Sequence, residues 1–157
     1  MTHSDANIHA TAIVVGTTGM LFIGPSGAGK SALAFACLAE ARQGGEFAAL
    51  VADDQVLVRI HDGKVIGLRP APIRGLIELR HGGIACVESL PAALLQYAVV
   101  PVEGPDVERL PPEEETHAVV GAARLPLLRI ALGASTPLAW LRALISSRRS
   151  YLGQKSL

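Results

Sequence analysis

A mixed α/β domain built around a phosphate-binding loop is predicted by three features of this 157-residue chain. The run Gly24-Pro25-Ser26-Gly27-Ala28-Gly29-Lys30-Ser31 fits G-x-x-x-x-G-K-[ST]. An apolar strand at 20–23 leads into it, and an Ala- and Leu-rich helix from Ser31 leaves it, which is the context the motif requires. Short apolar runs joined by tight turns at 16–19 and at Asp62-Gly63 predict hairpins, so the sheet is mixed rather than all parallel.

The elements follow in order. Residues 12–15 and 20–23 read as an antiparallel pair around the turn Gly16-Thr17-Thr18-Gly19. The helix from Ser31 is expected to end at Gln43, because Gly44-Gly45 offers a left-handed stop. Residues 47–52 form an apolar strand that terminates in Asp53-Asp54. A hairpin pairs 56–60 with 64–68, and Pro70 and Pro72 then break the chain. Strands are expected at 84–87 and 97–102, followed by a solvated, proline-containing acidic loop over 103–116. A last strand spans 125–132. Ser135-Thr136-Pro137 opens a helix through Ser146, with proline at the first helical position. The domain is expected over 8–147, with an N-terminal extension at 1–7 and a basic, polar tail at 148–157.

Composition narrows the class. Residues are 50% hydrophobic and only 4% aromatic, so the core is built from Ala, Val, Leu and Ile. Net charge is zero, which argues against a nucleic-acid surface. The stretch 125–145 carries Arg129, Gly133, Pro137 and Arg142, costly in a bilayer, and the N-terminus lacks a secretory pattern. No membrane partner and a cytoplasmic location are expected. Cys37 and Cys86 both sit among apolar residues and are expected as buried, reduced thiols. His3, His61, His81 and His117 show no metal-ligand spacing.

The chemistry centres on the loop. Gly24, Gly27 and Gly29, with Pro25, Ser26 and Ala28 between them, let backbone N–H groups surround phosphate oxygens. The helix N-terminus adds partial positive charge there. Lys30 is placed to reach the β- and γ-phosphates and Ser31 to coordinate Mg2+. Asp53 and Asp54 supply the carboxylates that phosphoryl transfer needs, and adjacent residues on a strand point to opposite sides, which implies different roles. A solvated Asp-Asp turn is the plain alternative. Glu78, among Leu76, Ile77 and Leu79, is either a further Mg2+ carboxylate or the ion-pair partner of Arg74 or Arg80.

In this order, Ile8-His9-Ala10, the phosphate loop, Val51-Ala52-Asp53-Asp54 and Ile73-Arg74-Gly75-Leu76-Ile77-Glu78-Leu79-Arg80-His81-Gly82-Gly83-Ile84 resemble the catalytic domain of the HPr kinase/phosphorylase family over residues 8–145. The resemblance implies a P-loop nucleotide-binding domain of the HPr kinase and phosphoenolpyruvate carboxykinase type. It implies ATP and Mg2+ as cofactors, and a protein-serine kinase acting on HPr, the phosphocarrier of the sugar phosphotransferase system. Reversal by inorganic phosphate, releasing pyrophosphate, and a homo-oligomer (a hexamer) are also implied. His9 matches the family's active-site histidine. Asp53 is expected to take the serine proton, Asp54 to support metal or substrate, and Ser31 and Glu78 to serve the metal.

Three departures accompany the resemblance. A short form holding only the catalytic core, without the family's usual N-terminal domain, is expected. The R-G-x-G-I signature reads Arg80-His81-Gly82-Gly83-Ile84. The late V-R-P-G-R-N-like segment corresponds to Leu132-Gly133-Ala134-Ser135-Thr136-Pro137, without arginine. Either Arg129 or a neighbouring subunit replaces that arginine, or the reverse reaction is lost. A nucleotide-binding regulatory module and a small-molecule kinase on the same scaffold are the competing readings.

Overall fold

Period-two alternation of apolar residues in two adjacent strands decides the layering, because both faces of those strands are buried. The structure is a computed structural model describing residues 5–155. Its elements are β1 (Ala6–Ile8), β2 (Thr11–Val15), β3 (Thr18–Phe22), α1 (Lys30–Gln43), β4 (Ala48–Ala52), β5 (Val56–His61) and β6 (Lys64–Leu68). A 3-10 turn (Ala71–Ile73) precedes β7 (Leu76–Leu79), β8 (Gly83–Cys86), β9 (Ala92–Leu95), β10 (Tyr97–Val102), β11 (Thr116–Val120), β12 (Ala123–Ala131) and α2 (Pro137–Lys155).

A six-stranded sheet in the order β11-β12-β10-β3-β2-β4 forms the middle layer. It is mixed as expected: β3, β10 and β12 run parallel, while β2 is antiparallel to both β3 and β4. Ile13, Val15, Met20 and Phe22 face one way and pack with Leu33, Cys37, Leu38 and Leu141 of the two helices. Ala12, Val14, Leu21 and Ile23 face the other way and pack with Val56, Val58, Val65 and Leu95 of the second sheet. That sheet, β1-β5-β6-β9, is antiparallel throughout. At roughly 1.5–3 kcal/mol for each large apolar side chain removed from water, these two interfaces dominate the stability.

Several elements differ from the sequence expectation. Residues 6 and 7, expected in an N-terminal extension, join Ile8 in an edge strand on β5. β9 and β11 were not expected, and β11 takes residues 116–120 beside the predicted acidic loop. Gly19 is the signature of β9: a Cβ there would collide with the Leu94 carbonyl, so glycine is needed for close approach rather than for its dihedrals. α2 continues beyond Ser146 to Lys155, across most of the expected tail. Residues 1–4 with His3, and 156–157, lie outside the described residues. Cys37 is buried as expected, but Cys86 is exposed, because the β7–β8 pair turns that face of the strand outward.

Both helices are closed by specific caps. After α1, Gly45 has φ 75°, the Glu46 N–H donates to Ala41 O and the Gly45 N–H to Arg42 O. This is a Schellman stop, as Gly44-Gly45 predicted. At the start of α2, the Leu138 and Ala139 N–H groups donate to the two carboxylate oxygens of Glu40 on α1. A side chain about a hundred positions away in sequence thus caps α2 and locks the helices together. Among the described residues no helix is long and apolar enough to cross a membrane.

Candidate functional site

The phosphate loop lies between β3 and α1, at the C-terminal end of the parallel strands. Its glycines adopt left-handed φ values of 133° at Gly24, 81° at Gly27 and 94° at Gly29. A side chain is strained at each, and a Cβ on Gly29 would strike Leu132. Pro25 O accepts from the Ala28 N–H at 3.1 Å. Lys30 begins α1 and is buried, with Nζ donating to Gly24 O at 2.7 Å and Pro25 O at 2.9 Å. Burial pulls its ammonium below the ordinary value, while the Asp54 and Asp53 carboxylates pull it back up.

β4 delivers Asp53 and Asp54 to this end, but β2 stands between β4 and the loop strand β3. Thr11, the first residue of β2, bridges the gap. Its Oγ1 donates to Asp53 Oδ1 at 2.8 Å, and Ser31 Oγ donates to the same oxygen at 2.7 Å. The Glu78 backbone N–H donates to Asp53 Oδ2 at 3.0 Å. Asp53 is therefore 6% exposed with both oxygens engaged. Asp54 is the opposite case. Its φ of 68° turns the carboxylate outward, where the side chain is 70% exposed and lies 3.1 Å from His9 Nδ1. The unexpected β1 positions that histidine: pairing Ile8 with Val56 brings the residue after β1 beside the residues before β5.

A cleft of about 180 Å³ is lined by His9, Ser26, Gly27, Gly29, Lys30 and Ser31, and also by Thr11, Asp53, Asp54, Glu78 and Arg80. A larger cavity of about 320 Å³ between the β2–β3 turn and α2 holds Arg142 and Arg149 but no carboxylate and no loop residue. Chemistry rather than volume identifies the site.

Every expected catalytic and metal residue thus converges on one cleft. Glu78 forms no ion pair with Arg74 or Arg80 among the described residues. Arg129 does not reach the site: its Nη2 and Nε donate to the two carboxylate oxygens of Glu115, at 2.7 and 2.8 Å. As a substitute for the missing late arginine within this chain, Arg129 is set aside. Thr11 and Arg80 were not anticipated. The available signals were a hydroxyl opening an otherwise apolar strand and an arginine two residues after Glu78.

Arg80 sits in the turn Leu79–Arg80–His81–Gly82, closed by the Gly82 N–H to Leu79 O at 2.8 Å. His81 has φ 65° at the third position, where such a turn calls for positive φ. The altered signature thus puts histidine where glycine would be unstrained, and the turn is retained.

The residues present fit Mg2+ and a nucleotide polyphosphate. No three His, Cys, Asp or Glu among the described residues form a protein-only cage. Mg2+ rarely asks for one, since it combines one or two carboxylates with phosphate oxygens and water. The paired Ser31 hydroxyl and Asp53 carboxylate beside the loop offer such a partial shell.

The HPr Serine kinase C-terminal domain family matches residues 2–92. An HPr kinase/phosphorylase from Clostridium tetani is 35% identical over 86 residues, or 55% of this chain and 26% of that protein. The chain therefore spans about a quarter of the length of that relative. The solved structure of the Hpr(Ser) kinase/phosphatase from Coxiella burnetii superposes with a TM-score of 0.72. It covers 94% of this chain and 99% of that one at 20% identity, a likeness of fold.

Proposed function

The chain belongs to the HPr serine kinase C-terminal domain family, and on that premise we propose that it is an ATP- and Mg2+-dependent phosphotransferase acting on a serine of an HPr-like phosphocarrier. The observation that carries this reading is the division of labour between two adjacent carboxylates. One is buried and tied to the phosphate-loop serine; the other is exposed and paired with a histidine in the same cleft.

Ser31 and Asp53 would hold Mg2+, with Glu78 as a second carboxylate, and the loop and Lys30 would hold the β- and γ-phosphates. The bound metal and nucleotide supply an activated phosphoryl group and neutralise part of its charge. Asp54 then accepts the proton of the attacking serine, oriented by His9. This exchanges the two aspartate roles expected from sequence. Three hydrogen bonds already engage Asp53, whereas Asp54 faces the open side of the cleft, where an acceptor hydroxyl arrives.

The reverse reaction must bring inorganic phosphate and phosphoserine together, so it depends more on positive charge than the forward one. With no arginine in 132–137, it is proposed to be weak or absent. A homo-oligomer, a hexamer by resemblance, and a cytoplasmic location complete the proposal. Incubation with Mg-ATP and purified HPr, followed by mass spectrometry to locate phosphate, tests it. Phosphate on a serine of HPr is expected, and unmodified HPr would remove the acceptor from the reading.

A further inference from the structure

We propose that Arg80 binds the transferred phosphoryl group, as an arginine finger supplied by this same chain. The proposal rests on the phosphate-loop reading, but it assigns a group that neither the loop motif nor the aspartate pair uses.

The geometry is specific. The Arg80 guanidinium lies against the middle of the loop: a Cβ built on Gly27 would stand 3.4 Å from Nη2 and 3.6 Å from Nη1. It lines the same cleft as Lys30, Asp54 and Glu78. Arg59, Arg129 and Arg142 each spend both ends of the guanidinium fork on one carboxylate. Arg80 has no hydrogen-bond or ion-pair partner of that kind among the described residues, although Glu78 is two residues away in the same cleft. The hydrogen-bonded turn from Leu79 to Gly82 sets the backbone from which the side chain reaches the loop.

Charge balance in the cleft says why a second fixed cation is needed there. Asp53, Asp54 and Glu78 contribute three negative charges against two positive ones from Lys30 and Arg80, a sum of −1 before any phosphate arrives. A polyphosphate adds several more, of which the Mg2+ proposed to accompany it offsets two. Lys30 sits inside the loop with its ammonium on backbone carbonyls, and Arg80 is the other side-chain cation lining the cleft. A guanidinium fork also matches the equatorial oxygens of a phosphoryl group in transfer, where negative charge is spread over three oxygens. In this proposal the guanidinium meets the transferred group rather than the diphosphate that the loop and Lys30 hold. Its effect belongs to the transfer stage.

The test compares affinities of the full chain for Mg-ADP and for Mg-ADP with aluminium fluoride, a mimic of the phosphoryl group in flight, by titration calorimetry. Wild type, Arg80→Ala and Arg80→Lys are measured, with thermal melting of each as a check on folding. The wild type is expected to bind the fluoroaluminate complex at least about a hundredfold more tightly than Mg-ADP. Both variants should keep Mg-ADP affinity within about threefold and lose at least about tenfold of that tightening, because a lysine cannot reproduce the fork. Equal tightening in wild type and Arg80→Ala overturns the proposal, as does a wild type that shows none. Fluoroaluminate tightening that depends on Arg80, without phosphate transfer to HPr, upholds the Arg80 assignment and rejects the acceptor.

Discussion

Around the phosphate loop, Lys30, Glu78 and Arg80 stand close together without pairing with one another, whereas along β12 and α2 the arginines Arg124, Arg129, Arg142 and Arg148 are committed to neighbours. Lys30 rests on two carbonyl oxygens, and Glu78 and Arg80 share a cleft without pairing. At the other edge, Arg129 is held in both arms by Glu115, and Arg148 donates to Leu127 O and Glu115 O. Arg142 binds Glu46 the same way. The hydrogen bond from Arg129 holds the Glu115 carboxyl below its ordinary range. Both ends contain the same residue types. What differs is whether each charge is consumed by structure or left facing a cavity, and only the second condition can serve a ligand.

The largest effect that could break this contrast lies in the aspartate pair. Asp54→Asn keeps shape but cannot accept a proton, so phosphate transfer should fall on the order of 10³-fold with Mg-ATP affinity little changed. Asp53→Asn should instead weaken Mg-dependent nucleotide binding, measured by calorimetry with and without Mg2+. If Asp53→Asn abolishes transfer at unchanged affinity while Asp54→Asn does not, the exchange of roles is wrong. Lys30→Ala comes next: transfer should drop by on the order of 10²-fold or more, with nucleotide bound more weakly but detectably. Near-normal transfer would remove the loop from the mechanism.

Direction is a sharper probe of the C-terminal edge. Pyrophosphate release from serine-phosphorylated HPr at millimolar phosphate should run well below the forward rate in the same preparation. Comparable rates would mean that another cation fills the gap left in 132–137. Arg129→Ala should then be nearly silent in catalysis, within about twofold, and cost at most about 1 kcal/mol of stability as a partly exposed pair. That cost has a predictable pH dependence. Glu115 titrates lower in the folded state, so its contribution is present above the unfolded carboxyl value and fades as pH falls through the folded one. Denaturant melts of wild type and Arg129→Ala should therefore converge in acid. A gap that persists would mean the cost is lost packing rather than charge.

The smallest effect concerns the thiols. Burial pushes the Cys37 thiol up to about 12, whereas Cys86 is exposed. At pH 8 an alkylating reagent should modify Cys86 in the native protein and reach Cys37 only after unfolding, as peptide mass spectrometry would show. Modification of native Cys37 would indicate that the helix-side core opens more readily than its packing implies.

How much of this was legible in the sequence depended on distance along the chain. The strand, loop and helix around Lys30, the hairpin at Asp62-Gly63 and the Gly44-Gly45 stop were readable because each is a contiguous backbone preference: a required positive φ, a turn, an alternation. The sequence also singled out His9, Asp53, Asp54 and Glu78, which line one cleft. Their partners were another matter. That Thr11 and Ser31 share one oxygen of Asp53 follows from β2 lying between β3 and β4, and from the register of those strands. That His9 meets Asp54 follows from a three-residue strand too short to leave a periodic signal. The cap that Glu40 gives α2, the capture of Arg129 by Glu115 and the position of Arg80 over Gly27 join residues far apart in sequence. The sequence alone determined which chemical groups are available and the local backbone shapes, since those depend on neighbouring residues. Which groups are spent on each other and which face the cleft was decided by sheet order and packing, because a hydrogen bond depends on where two side chains end up in space.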